Sequence, residues 1–195
     1  YGANDFLYKD FSDEEFVARV NNNLEVIELF HDTQDKAKKD YLTGLFNRNY
    51  IYNEGEELYK RATDKKELLS VILLDINKFK IINDSYGHDV GDEAIKAVSK
   101  ILLEYLNKDS LIARLGANEF AILLKNRPYA EVHQTFQEIQ EVMANKKFKL
   151  IDTDLDLTVS IGATTVLEDS LDDMFHSADE ALFDSKQRGR IVINS

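Results

Sequence analysis

The first residue in this sequence that could do chemistry is a carboxylate at the end of an apolar run. Asp75 closes the stretch Leu-Ser-Val-Ile-Leu-Leu-Asp that begins at Leu69, where a buried strand would leave the core, and Asn77 follows on the same side. A charged oxygen at that point is either a metal ligand or a cap for the Lys78-Phe79-Lys80 segment that follows. Asn83, Asp84, Asp89 and Asp92 fall in the polar stretch 83–92, which reads Asn-Asp-Ser-Tyr-Gly-His-Asp-Val-Gly-Asp. By composition this stretch is a loop that carries helix N-caps, and its amides and carboxylates also suit the edge of a nucleobase. Gly116, Ala117 and Asn118 form a tight turn whose exposed N–H groups could cradle a phosphate. Lys186, Arg188 and Arg190 gather at the end of a helical pattern, where they complement the helix dipole or clamp a triphosphate. His88 reads as a loop residue satisfied locally, and His31, His133 and His176 as surface positions on helices.

The elements that must position these groups are visible in the hydrophobic pattern. Residues 5–8 read as a short strand end, and Ser12 with Glu15 forms a capping box that opens a helix. Val17, Val20, Leu24 and Ile27 form a narrow seam on that helix, which fades at His31 and Gln34. The seam predicts an amphipathic connector or a dimerising stalk. From Asp40 onward strands and helices alternate. Residues 69–75 predict a central strand covered on both faces, and Gly91-Asp92 opens a helix with Ile95, Val98, Leu102 and Tyr105 on one side. Residues 111–115 and 120–124 flank the turn as a hairpin. Val132, Phe136, Ile139 and Val142 mark a helix after Pro128; residues 155–164 read as a strand containing Gly162. Leu171, Met174, Phe175, Ala178 and Leu182 mark the last helix, and residues 191–193 a final edge strand. Helices interspersed with strands that include an antiparallel hairpin give an α/β (α+β) sheet with helices packed on it.

Composition narrows the function classes. The chain has 195 residues, 44% of them hydrophobic and 31% charged, enough to build a core and unlike a disordered chain. It has no cysteine, which excludes disulfides, thiolate metal sites and a cysteine nucleophile. A formal net charge of −12 argues against a nucleic-acid polymer as partner. No apolar run is long enough for a membrane span, and the first residues lack a signal-peptide pattern, so the expectation is a cytoplasmic protein. A start at Tyr1 in place of Met suggests an excised fragment.

Taken together, the motifs of residues 40–48, 74–92, 114–120, 159–162 and 178–190 resemble, in order and spacing, the GGDEF (diguanylate cyclase) family. The opening residues 2–11 resemble the end of a response-regulator receiver domain, with Asp10 where a proline is usual. The resemblance divides the chain into a receiver tail and helical linker at 1–39 and a GGDEF domain at 40–195. It implies a nucleotidyl-cyclase, polymerase-palm-like fold with a mixed five-stranded sheet wrapped by helices. It implies that two subunits, joined through the linker and receiver, each hold one GTP, and that each 3′-hydroxyl attacks the other's α-phosphate to give cyclic di-GMP. By position, Asp75 and the Ile76 carbonyl would bind Mg²⁺ or Mn²⁺, and Asn83 and Asp92 would read guanine. Lys80, Lys186 and Arg190 would contact phosphates, with Gly116 and Ala117 lying along them. Asp40 would pair with Arg114 in a structural role.

The sequence departs from the family at its signature, which here reads Gly116, Ala117, Asn118, Glu119, Phe120. The third position normally carries the second metal-binding carboxylate. Asn118 offers an amide oxygen without charge, and losing such an electrostatic element costs on the order of 3 kcal/mol, about a hundredfold in rate. Ala117 replaces a glycine, at a cost of about 1 kcal/mol if the position needs a positive φ. Glu119 is kept. Asn77 replaces a common aspartate, and Asn107 and Ser110 stand where an Arg-x-x-Asp product-inhibition motif would be, so no such site is expected. Three readings follow: a degenerate domain that binds GTP with impaired or lost cyclase activity, an active cyclase, and a dimerisation module that binds no nucleotide.

Overall fold

The computed structural model describes residues 12–106 and 110–195. The expected strand end at 5–8, the receiver-like segment and Asn107 lie outside the described residues. The chain divides into two compact units between Lys38 and Lys39. The described residues of the first hold one helix, α1 (Asp13–Lys38), on which Phe16, Val17, Val20 and Leu24 are all exposed.

The second unit is built around β2 (Leu69–Ile76), buried at every position. β2 runs antiparallel to β4 (Glu119–Lys125) on one side and to β7 (Val159–Thr164) on the other. A strand covered on both faces has no polar side to show, which is why its sequence is a continuous apolar run. The sheet extends through β3 (Ser110–Arg114) to the two-residue β1 (Phe46–Asn47), and beyond β7 to β8 (Val192–Asn194), in the order β1-β3-β4-β2-β7-β8. Six strands therefore stand where the resemblance implied five. The pairs β1–β3 and β7–β8 are parallel, so the sheet is mixed. β5 (Phe148–Leu150) and β6 (Thr153–Leu155) form a separate hairpin.

Alternation along the strands sorts the core into two layers. Ile72, Leu74, Ile76, Phe120, Ile122 and Leu124 face one layer with α3 (Phe79–Tyr86), α4 (His88–Tyr105) and α5 (Tyr129–Asn145). Val71, Leu73, Ala121 and Leu123 face the other with α2 (Arg48–Lys65) and α6 (Leu171–Arg188).

Several sequence expectations are corrected. The stretch 83–92 is no loop: α3 and α4 run through it and meet at Gly87, whose φ of +87° turns the chain. Phe79 and Ile82 on α3 and Val90 and Ala94 on α4 are buried, and this packing outweighs the turn-forming composition of the segment. The fourth helix accordingly starts at His88 rather than Gly91, and His88 is exposed. The strand expected over 155–164 is two strands, because Leu155 ends the small hairpin and β7 begins only at Val159. His133 is half-buried and stacks on Tyr129 with ring centroids 6.0 Å apart, rather than lying free on the surface.

One close approach sets the register of α6 against the sheet. A Cβ on Gly162 would overlap the Leu182 backbone and the Ala178 carbonyl, so this strand–helix contact exists only because residue 162 has no side chain. One turn further along α6, buried Ser185 accepts the Ile161 N–H through its Oγ at 3.0 Å. Gly162→Ala must push α6 off the sheet, and we expect it to destabilise the domain by about 3 kcal/mol in urea unfolding. A loss below about 0.5 kcal/mol would show that the contact tolerates a methyl group.

Candidate functional site

The candidate site lies around the end of β2, where the buried strand brings its last polar groups out of the core. Asp75 is its penultimate residue and points to the α6 layer, with a side chain only 10% exposed. Lys186 on α6 reaches it, with Nζ 3.0 Å from Oδ2. The reach follows from the Gly162 and Ser185 contacts, since Lys186 is the next residue after the pinned Ser185. Glu119 lies directly across from Asp75 in the β2–β4 register, hence on the same face, and is exposed.

The signature turn is fastened to the end of β2 twice. The Ile76 N–H donates to the Asn118 carbonyl at 3.1 Å, and Asn118 Nδ2 donates back to the Ile76 carbonyl at 3.1 Å. Neither Gly116 nor Ala117 has a positive φ, so Ala117 carries none of the strain considered from the sequence. A Cβ on Gly116 would meet only Glu119 Oε2, at an ordinary 3.6 Å. On the other side of β2, Asn77 takes Ser160 Oγ–H at 2.7 Å on its Oδ1 and donates to Thr158 Oγ1 at 3.1 Å. Thr158 was not singled out in the sequence, and Ser160 only as part of the motif 159–162; a polar pair at the mouth of an otherwise apolar strand was the available signal.

Arg114 supports the turn from behind. Its Nε and Nη2 donate to the Gly116 and Ala117 carbonyls at 2.9 and 3.0 Å, while Nη1 lies 3.3 and 3.4 Å from the two oxygens of Asp40. The Asp40 Oδ1 also accepts the Thr43 hydroxyl at 2.7 Å and N–H at 3.0 Å. Burial by itself would raise the Asp40 pKa, but the two Thr43 hydrogen bonds and the Arg114 charge outweigh it and hold the carboxyl below its ordinary value of 3.8.

A second cluster lies between α3 and α4. Asn83 Oδ1 is buried without a hydrogen-bond partner, the one such side-chain atom among the described residues. It lies against Gly91, where a Cβ would collide with it. Asp92 is next in the chain and exposed, as are Lys80, Asp89 and Arg190. An acceptor left unsatisfied in a buried position costs about 1–3 kcal/mol, and turning the Asn83 amide over would bring this oxygen outward, where a ligand N–H could meet it. Ser110 is the first residue of β3, and Arg188 pairs with Asp184 on its own helix at 2.8 Å.

As folded, the donor set at Asp75, Ile76 and Asn118 does not fit a divalent cation. The carboxylate is matched by an ammonium group, and the carbonyl faces an N–H rather than a second anionic oxygen. Among the described residues, no three His, Cys, Asp or Glu side chains gather as a metal site elsewhere. No helix among them is long and apolar enough to cross a membrane.

Comparison with known proteins gives a consistent result. Residues 37–191 match the family described as diguanylate cyclase, GGDEF domain. The response regulator PleD of Caulobacter vibrioides is 30% identical, over 98% of this chain and 45% of its own length. The diguanylate cyclase DosC of Escherichia coli is 31% identical, over 90% of this chain and 40% of its own. The chain thus spans less than half the length of these relatives. Among solved structures, the coiled coil and GGDEF domain of DgcB from Caulobacter crescentus, in complex with c-di-GMP, superposes with a TM-score of 0.85. It is 27% identical, and the match covers 93% of this chain and 97% of that one.

Two outcomes follow from the geometry. Asp40→Asn should lower stability near neutral pH by about 2 kcal/mol in urea unfolding. Because the folded-state pKa is lowered, that stabilisation is complete above about pH 4 and disappears as Asp40 protonates, so the gap between wild type and variant should close on acidification. An undiminished gap at pH 2 would assign the effect to shape rather than charge. Asn83→Ala should leave stability unchanged or raise it by up to about 1 kcal/mol, since it removes an unsatisfied acceptor. A loss above about 2 kcal/mol would mean that Asn83 serves the fold.

Proposed function

This chain belongs to the GGDEF, diguanylate cyclase, family, and from that premise we propose that it is a guanine-nucleotide-binding domain of cyclic di-GMP signalling with impaired or lost cyclase activity. The observation that carries the nucleotide reading is the unpartnered Asn83 Oδ1, held against Gly91 and beside Asp92. Guanine presents adjacent N–H donors on one edge. Asn83 and Asp92 supply acceptors for them, the carboxylate giving the stronger, charge-assisted bond. Lys80, Lys186 and Arg190 offer positive charge to the phosphates, and the small residues Gly116 and Ala117 leave the turn open to their approach.

Loss of activity rests on Asn118. Condensation of two GTP molecules builds negative charge at each α-phosphate, and stabilising that charge is most of what a phosphoryl-transfer site does. An amide that is already donating to Ile76 contributes none of the charge that an acid at 118 would bring to such a site. One observation favours residual turnover as a second reading: Glu119 keeps a carboxylate on the Asp75 face of the sheet.

The reaction needs two copies. Exposed Phe16, Val17, Val20 and Leu24 on α1 suit a helix that pairs with another, which supports a homodimer. The alignment with PleD, a response regulator, over 98% of the chain supports reading residues 1–39 as a receiver tail and linker. Placement in the cytoplasm fits a substrate such as GTP.

Turnover of GTP in excess Mg²⁺ or Mn²⁺, with products separated by chromatography, tests the proposal. The wild-type chain should make cyclic di-GMP at least about a hundredfold more slowly than an Ala117→Gly/Asn118→Asp double variant. Equal rates would show that the signature substitutions leave catalysis intact. Separately, Asp92→Ala should weaken GTP binding about tenfold or more.

A further inference from the structure

The end of β2 is closed where a cation would otherwise sit. Asn118 Nδ2 lies 3.1 Å from the Ile76 carbonyl. A carboxylate in that position would set two acceptor oxygens face to face, a repulsion that a cation between them would relieve. The amide resolves the same contact with its own N–H. Its orientation is not interchangeable, because the flipped amide would direct Oδ1 at the carbonyl oxygen. The backbone bond from Ile76 N–H to the Asn118 carbonyl holds the turn in place, so side chain and main chain act as one latch.

Lys186 closes the other half. Its ammonium lies 3.0 Å from Asp75 Oδ2, on a helix pinned to β7 through Ser185 and the side-chain-free Gly162. A cation approaching Asp75 would meet this charge. The pairing also changes the local balance: of the three positions 75, 118 and 119, Asp75 is matched by Lys186 and Asn118 is neutral, which leaves Glu119 as the carboxylate without a cationic partner among these three. A triphosphate meets far less repulsion here than at three unpaired acids, so the usual reason for bringing divalent cations with it is weakened.

We propose that this protein binds guanine nucleotide without a divalent cation, the Asn118 amide engaging the Ile76 carbonyl and the Lys186 ammonium engaging Asp75 Oδ2, two of the oxygens a cation would draw on. The inference rests on the nucleotide reading of the site. It goes beyond lost activity, since an inactive site could still load a metal–nucleotide complex.

Calorimetric titration of the whole chain with GTP, in excess Mg²⁺ and again in excess EDTA, tests it. The two affinities should agree within about threefold, whereas Asn118→Asp should bind about tenfold or more tightly with Mg²⁺ than with EDTA. A wild-type affinity that drops tenfold in EDTA overturns the inference while leaving the nucleotide reading intact. No binding in either condition overturns both. Mn²⁺ alone gives a readout independent of nucleotide, through paramagnetic broadening of amide signals in the NMR spectrum. Ile76, Asn118 and Glu119 should stay sharp in the wild type and broaden in Asn118→Asp. Broadening of these three in the wild type overturns the closed seat, and this holds even if the variant does not fold. A folded Asn118→Asp that gains no Mn²⁺ broadening overturns Asn118 as its cause.

Discussion

A strand buried on both faces can end only where each polar group it carries out of the core finds a partner, and the candidate site is the set of partners that β2 requires. The Ile76 N–H and carbonyl are met by Asn118, the Asn77 amide by Thr158 and Ser160, and the Asp75 carboxylate by Lys186. These partners come from both neighbouring sides of the sheet and from α6. The site is therefore a product of the sheet order: β4 and β7 must flank β2 for the turn on one side and the Thr158–Ser160 pair on the other to meet at its end. Leaving the buried groups of Asp75 or Ile76 unmatched would cost about 1–3 kcal/mol, comparable to the burial of a whole aliphatic side chain.

The same reasoning explains what the sequence made legible. β2 and the hairpin could be read because their patterns have one physical cause, burial on two faces and a short turn between strands. The helix from Gly91 to Tyr105 was legible in its apolar face, but the helical stretch 79–90 was obscured because Asn, Asp, Ser and Gly there resemble a loop; only long-range packing of Phe79, Ile82 and Val90 decides otherwise. Asp75 and Asn118 were recognisable as candidate site residues, but the contacts they make were not. The 3.0 Å approach of Lys186 depends on how closely α6 lies on β7, a distance set by an absent side chain at Gly162. The direction of the Asn118 amide depends on a carbonyl 42 residues away in the chain. Periodicity carries neither piece of information.

Arg114 adds a coupling that the family resemblance implied only in part. Its guanidinium joins the Asp40 carboxylate to the carbonyls of both Gly116 and Ala117, so the turn is held by the loop that precedes β1 as well as by its own strands. With that support, and with no positive φ at either position, the turn keeps its shape without needing glycine's conformational freedom. Small residues there matter for the space they leave above the turn, and Ala117 narrows that space without distorting the backbone.

The two clusters are finished differently, and the difference bears on what each could do. At the Asp75 end the donors and acceptors described above are matched within the chain, which lowers the energy of the ligand-free state and gives a cation nothing to complete. At the Asn83 cluster the chain holds a buried acceptor with no partner, which costs stability, against a Gly91 whose missing side chain lets α3 lie close to α4. A domain whose only task was to fold or to pair with a second copy would gain from the first arrangement and lose from the second. A domain that recognises a base while having given up the metal chemistry accounts for both.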